Sequence, residues 1–248
     1  MDNRQSTEKT AGIILIGNEI LSGKVKDYNS FYLASELWSL GVSLMRISVI
    51  PDDTGIIGKE AVIFSEIYDC VFTSGGVGPT HDDVTMEGIA EGFGVKLMRH
   101  PELTERFRRR FGDSANDAVM KMALIPEGAE IMDVGDKGFP LVIFKNIFIF
   151  PGIPEYLKNK FTAVKERFRS ASFSLKKLFL TAEESEIALA LNKVVAGNPD
   201  VAIGSYPVLG NQEYKVMVTA QSKSENALNK VVEELINGIP AGKLLRIE

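Results

Sequence analysis

The apolar positions fall into short blocks that switch between two periods. Gly12–Ile16 (GIILI) is an unbroken apolar run, the pattern of a strand buried on both faces of a parallel sheet. From about Asn29 to Leu40 the spacing becomes helical. Leu33, Leu37 and Leu40 share one face, and Gly41 supplies a stop. Val42–Ile50 predicts a second strand. Pro51-Asp52-Asp53 opens a helix that carries Ile56, Ile57, Ala61 and Phe64 at helical spacing. Cys70–Thr73 predicts a third strand running straight into a glycine-rich loop, and Val84–Phe93 a further helix. The resulting β-α-β-α-β-α order predicts a parallel sheet with right-handed crossovers.

Pro101–Ala123 reads as helical and well charged, with Arg108-Arg109-Arg110 as a solvated face in preference to a phosphate patch. Leu141–Phe144 and Ile147–Phe150, split by Lys145-Asn146, predict a hairpin. A rigid Pro151–Pro154 turn and a helix from about Glu155 to Phe168 follow. The composition changes near Ser170–Ser174. Beyond it come a strand (Leu175–Leu180), a helix (Glu183–Ala196), two strands (Val201–Ser205 and Tyr214–Ala220), a helix (Ser224–Asn237) and a last strand (Lys243–Ile247). That β-α-β-β-α-β order predicts a small α+β domain. The expected organisation is an α/β domain over residues 1–170 and the α+β domain over residues 171–248.

Composition narrows the function classes. Of the 248 residues, 45% are apolar and 25% charged, the balance of an ordinary globular protein. A formal net charge of -5 argues against nonspecific nucleic-acid binding. The single cysteine, Cys70, rules out an internal disulfide framework and suits a reducing, cytoplasmic setting. No apolar run is long enough to span a bilayer. The polar opening MDNRQSTEKT predicts a frayed start and carries no signal-peptide core. With only His81 and His100, neither a zincin motif nor a Cys/His zinc cluster can be built, and no nucleophile elbow is present.

The densest candidate chemistry is Ser74–Thr85 (SGGVGPTHDDVT). Gly75, Gly76 and Gly78 free the backbone, so that successive N–H groups can converge on an anion. Pro79 stiffens the loop, and Thr80 is placed to cap the helix that follows. In an open parallel sheet this loop lies at the carboxyl end of a strand, where ligands bind. Asp82 and Asp83 come directly after it. Carboxylates beside a phosphate imply a shared divalent cation, and helix capping is the alternative. Gly17–Gly23 places Glu19 and Ser22 at the same edge, with Asp27 and Asn29 at the next helix start; a glycine-bounded turn with a capped helix explains them equally well. Asp52-Asp53 follows the second strand at that edge, where an N-cap and first-turn acids explain them equally well, and Gly152 in Pro151–Glu155 would permit close approach of a ligand beside Pro154. Phe31 and Trp38 read as core or interface residues.

Taken together, GNEILSG, the Pro51-Asp52-Asp53 turn, TSGGVGPTHDDVT and FPGIPE resemble the molybdopterin-binding-like domain of molybdenum cofactor biosynthesis proteins. They resemble more closely its CinA branch, and most closely the N-terminal module of FAD synthases. The resemblance covers about Gly12 to Ile247. It implies a three-layer α/β/α fold of the MogA/MoaB type with a mostly parallel sheet. It also implies metal-dependent cleavage of a pyrophosphate in an ADP-ribose- or FAD-like dinucleotide, or binding of a pterin phosphate in the same cleft.

On that basis Asp83, Asp52 and Glu19 are the catalytic candidates, and Asp83, Asp52 and Asp27 the metal candidates. Ser74, Gly75, Gly76, Gly78, Thr80, Asp82, Thr85, Ser22, Asn29, Gly152 and Pro154 are the ligand-binding candidates. The implied cofactors are Mg²⁺, Mn²⁺ or Co²⁺, with K⁺ as an additional candidate. A homodimer or homotrimer is a family-level expectation. Asn18 stands where the family pattern has aspartate, which removes one potential anionic ligand. The end at Glu248 leads to the expectation that FAD synthesis and nicotinamide-mononucleotide deamidation are absent. Three readings result: a metal-dependent nucleotide pyrophosphatase, a pterin-phosphate binder without hydrolysis, and a catalytically silent oligomerising or regulatory domain.

Overall fold

The computed structural model describes residues 8–135 and 139–248; the expected frayed start falls on residues 1–7, outside them. The chain divides into two compact units, Met1–Ser170 and Ala171–Glu248.

The first unit is built on a six-stranded sheet in the order β2-β1-β3-β8-β7-β6. Its parallel members are β1 (Thr10–Ile16), β2 (Ser43–Ile50), β3 (Cys70–Ser74) and β8 (Ile147–Phe150). β7 (Leu141–Phe144) and β6 (Glu130–Met132) continue it antiparallel. One face packs on α2 (Asn29–Ser39) and α7 (Pro154–Val164) through Leu33, Leu37, Leu157 and Phe161. The other packs on α3 (Thr54–Ile67), α4 (Thr85–Gly92) and α5 (Pro101–Phe111) through Ile57, Phe64, Ile89 and Phe107. The continuous apolar runs of β1 and β3 follow from this burial on both sides. The unit is therefore the expected three-layer α/β/α fold with a mostly parallel sheet.

Four local features depart from the sequence pattern. Asn18–Leu21 winds into a one-turn helix, α1, within the glycine-bounded loop. Pro101–Ala123 is not one helix: α5 ends at Gly112, whose φ of 51° favours glycine, and α6 (Asp117–Lys121) restarts on the Asn116 side chain, which accepts from the Val119 N–H at 3.0 Å. Three short strands, β4 (Leu97–Arg99), β5 (Leu124–Pro126) and β6, have too few residues to show an alternation. Phe31 and Trp38 are not core residues: they are 77% and 40% exposed, and the edge strand β2 likewise exposes Met45, Ile47 and Val49.

The second unit runs β9 (Ser174–Leu180), α8 (Glu184–Gly197), β10 (Ala202–Pro207), β11 (Val216–Ser222), α9 (Glu225–Gly238) and β12 (Leu244–Ile247). Its antiparallel sheet has the order β10-β11-β9-β12. Leu178, Leu180 and Val218 pack against Ile187 of α8 and Leu228, Val231 and Leu235 of α9, which gives the small α+β domain its own core. A reciprocal capping box between Glu183 and Glu186 starts α8. Among the described residues no helix is long and apolar enough to cross a membrane.

Candidate functional site

The loops after β1, β2, β3 and β8 gather at the carboxyl ends of the four parallel strands, the usual ligand edge of such a sheet. The glycine loop is fastened at its base. The Gly75 N–H donates to Phe150 O at 3.2 Å, and the Thr85 N–H to Gly76 O at 3.0 Å. The Thr85 hydroxyl donates to Gly75 O at 2.9 Å. Gly75 has φ 112°, and a Cβ there would stand 2.0 Å from Ile16 O, so only glycine fits between this loop and β1. The N–H groups of Gly76, Val77 and Gly78 have no hydrogen-bond partner among the described residues. Three successive donors are thus left for an anion.

The Asp83 carboxylate folds back into the loop. Its Oδ2 accepts from the Thr80 N–H at 2.8 Å and from the Thr80 hydroxyl at 2.5 Å. A Cβ at Gly78 would lie 2.6 Å from that same oxygen. The Thr80 hydroxyl also lies 2.5 Å from Asp82 Oδ1, and this bond holds the Asp82 carboxyl below its ordinary value. Thr80 does not cap the following helix. α4 begins only at Thr85, with Val84 in the cap position and no side-chain cap bond. Its first amide is already satisfied by Gly76 O, so neither Asp82 nor Asp83 is drawn into capping.

The other acids are divided differently. Asp52 Oδ2 accepts from the Asn18 N–H at 2.8 Å, tying the β2 loop to α1. Asp53 caps α3, accepting from the Ile56 N–H at 2.9 Å. Asp27 accepts from the N–H groups of Asn29 and Ser30 at 2.9 and 3.0 Å and from the Ser30 hydroxyl. It serves the start of α2 and borders neither cavity described below.

A cavity of about 660 Å³ opens beside the loop. Glu19, Gly75, Gly76, Gly78, Asp83 and Gly152 line it, together with apolar Met86, Met122, Leu124 and Phe139. A second recess of about 600 Å³, more open to solvent, is bounded by Asn18, Glu19, Ser22, Lys24, Asp52 and Asp82. Glu19 belongs to both. Ser74, Thr80, Thr85, Asn29 and Pro154 border neither. Ser74 and Thr85 are buried beneath the loop, and Pro154 is the first residue of α7. Among the described residues no three Asp, Glu, His or Cys side chains converge into a metal-binding group.

Three cations at the first cavity escape the sequence pattern: Arg110, Lys121 and Lys160. Lys121 Nζ donates to Thr80 O at 3.0 Å, joining α6 to the loop. Arg110 belongs to the arginine run read as a solvated face. Its neighbour Arg109 does pair with Glu105 on the surface, whereas Arg110 lines the cavity. Lys160 is only 3% exposed and donates to Phe139 O. A lysine among Leu157, Phe161 and Val164, on the inward side of a helix, was the available signal.

Comparison with known proteins agrees with this architecture. Residues 12–170 match the family described as "Probable molybdopterin binding domain", and residues 172–248 match "FAD synthase, middle domain". The chain belongs to the molybdopterin-binding-domain family, in the branch that holds CinA-like proteins and FAD synthases. It is 39% identical to a protein of Archaeoglobus fulgidus over 91% of this chain and 97% of that one. It is 32% identical to a "Probable FAD synthase" of Caenorhabditis elegans, over 94% of this chain and 50% of that protein. A CinA-like protein of Picosynechococcus is 34% identical over 93% of this chain and 58% of its own. The chain thus spans little more than half of these two longer relatives. The crystal structure of CinA from Thermoplasma acidophilum, 29% identical, superposes with a TM-score of 0.60 over 65% of this chain and 98% of that one.

Proposed function

We propose that the chain is a metal-dependent pyrophosphatase acting on a dinucleotide of the ADP-ribose or FAD type. One observation carries the reading: three free loop amides and the carboxylates of Glu19, Asp52, Asp82 and Asp83 meet at one sheet edge, in two adjoining recesses that share Glu19. The Gly76–Gly78 amides would hold one phosphate. Arg110 and Lys121 would offset the charge of the leaving phosphate, and the apolar wall of Met86, Met122 and Phe139 would take a ring and exclude water. Names among the relatives, FAD synthase and CinA-like, support a nucleotide ligand.

The donor set would take a cation only as one arrives with its substrate, because Asp83 lines the first recess, Asp52 the second, and Glu19 both. Asp52 and Asp83 each keep one carboxylate oxygen clear of the loop bonds, and Glu19 makes no side-chain hydrogen bond among the described residues. Two carboxylates plus phosphate oxygens suit Mg²⁺, and Mn²⁺ or Co²⁺ would accept the same oxygens. When bound, the cation would polarise the phosphoanhydride and acidify a water. Asp83→Ala, assayed on ADP-ribose and FAD with Mg²⁺, Mn²⁺ and Co²⁺, with and without K⁺, tests this. The expected loss in kcat/KM is about 10²-fold or more; full activity sinks the reading. The apolar cavity and the family description also favour a second reading, binding of a pterin phosphate without turnover. Pterin fluorescence copurifying with the protein, and no hydrolysis of either dinucleotide, would establish it instead.

A further inference from the structure

Asn29 is a ligand-binding candidate by sequence, yet it borders neither cavity and is only 7% exposed. Its amide instead spans the two walls of the larger one. Nδ2 donates to Ser74 Oγ at 2.9 Å and to Gly152 O at 2.7 Å. Ser74 is the last residue of β3 and leads into the glycine loop. Gly152 lies just beyond β8, in the segment that forms the facing wall with Pro151, Ile153 and Tyr156. The Ser74 hydroxyl in turn lies 3.3 Å from Pro151 O, and the Gly75 N–H reaches Phe150 O. Asn29 is itself fixed at the first position of α2, where its own N–H and that of Ser30 are held by Asp27.

We infer that Asn29 is a positioning residue: one side-chain amide, anchored through Asp27, sets the separation of the phosphate loop from the Pro151–Tyr156 wall. The chemistry at this point is specific. Two acceptors, a hydroxyl oxygen and a carbonyl, face one group that carries two N–H donors. A carboxylate of the same shape has none, and would set acceptor against acceptor at Gly152 O. Loss of the bridge leaves the two loops joined only through the Ser74–Pro151 and Gly75–Phe150 bonds, while the core contacts of α2 through Leu33 and Leu37 remain.

The effect on turnover rests on the pyrophosphatase reading, whereas the effect on the loops does not. Asn29→Asp and Asn29→Ala are compared with the unaltered chain by amide hydrogen exchange and by kinetics on ADP-ribose and FAD. The Gly75 and Thr85 amides, both bonded at the base of the loop, are expected to exchange at least tenfold faster in Asn29→Asp, with those of β1 unchanged. KM is expected to rise together with a fall in kcat/KM of about 10²-fold, the cost of misplacing a bound phosphate by an ångström. A merely structural role would lower kcat with the folded fraction and leave KM where it was. Should Asn29→Asp fail to fold, Ser74→Ala removes one of the two Asn29 bonds together with the hydroxyl's own bond to Pro151 O, keeps the Asn29–Gly152 bond, and is expected to give a change of the same kind. Unchanged exchange at Gly75 and Thr85 in a folded Asn29→Asp overturns the inference. Faster exchange in a chain that hydrolyses neither dinucleotide keeps it and removes the pyrophosphatase reading.

Discussion

Asp27 and Asp83 lie at the same end of the same sheet, each a short step before a helix, yet they do opposite things. Asp27 spends its carboxylate on two open amides and a hydroxyl at the start of α2. Asp83 precedes α4, but the first amide of that helix is already bonded to Gly76 O, and its carboxylate turns into the glycine loop. Asp53 repeats the Asp27 pattern at α3. At this edge Asp27 and Asp53 are thus committed to helix starts, whereas Asp83 is bonded within its own loop.

The largest effect is expected from Gly75→Ala. Its Cβ would stand 2.0 Å from Ile16 O at a φ of 112°, so the variant should lose about 3 kcal/mol or more, read in urea unfolding, and its ligand binding with it. A Gly75→Ala protein as stable as the parent would show that the loop is not held as described. Next, Asp83→Ala and Asp27→Ala should separate cleanly. The first is expected to abolish turnover by about 10²-fold with stability within about 0.5 kcal/mol. The second should lose about 1–2 kcal/mol as a cap and, by loosening Asn29, raise KM, while the metal dependence of the remaining activity is unchanged. Equal effects of the two on metal dependence would restore Asp27 to the metal site. Asp53→Ala should behave as Asp27→Ala, with a loss of about 1 kcal/mol by thermal unfolding.

The smallest effect at neutral pH concerns Cys70, whose thiol is pushed up to about 12 by burial. A raised acid pKa means its contribution is complete below the ordinary thiol value and is lost as pH rises toward the raised one. Stability should therefore decline above about pH 9, and Cys70→Ala should flatten that decline. A thiol reagent that modifies the native protein rapidly at pH 8 would contradict its burial.

Much of the fold was legible because its signals are strong and local. Buried parallel strands leave unbroken apolar runs, and α2 and, apart from the exposed Ile56, α3 show their inward faces by spacing alone. The strands at Leu97, Leu124 and Glu130 were not legible because three residues carry no period. The glycine loop could be found from composition, since few other purposes need three glycines within four positions. What each acid does could not, because it depends on hydrogen bonds made to residues far along the chain, as in Asp52 with Asn18. Lys121 was hidden for the same reason: only folding brings α6 against Thr80.

The outer rim of β2 has a practical consequence. Among the described residues its ladder partner is β1 alone, and Met45, Ile47 and Val49 are exposed along it. A bare, β-prone rim of this kind invites strand-to-strand zipping when protein is concentrated for storage or spectroscopy. A single lysine at Ile47 would blunt it without touching either recess, and so is the natural first change for anyone who needs the molecule at high concentration.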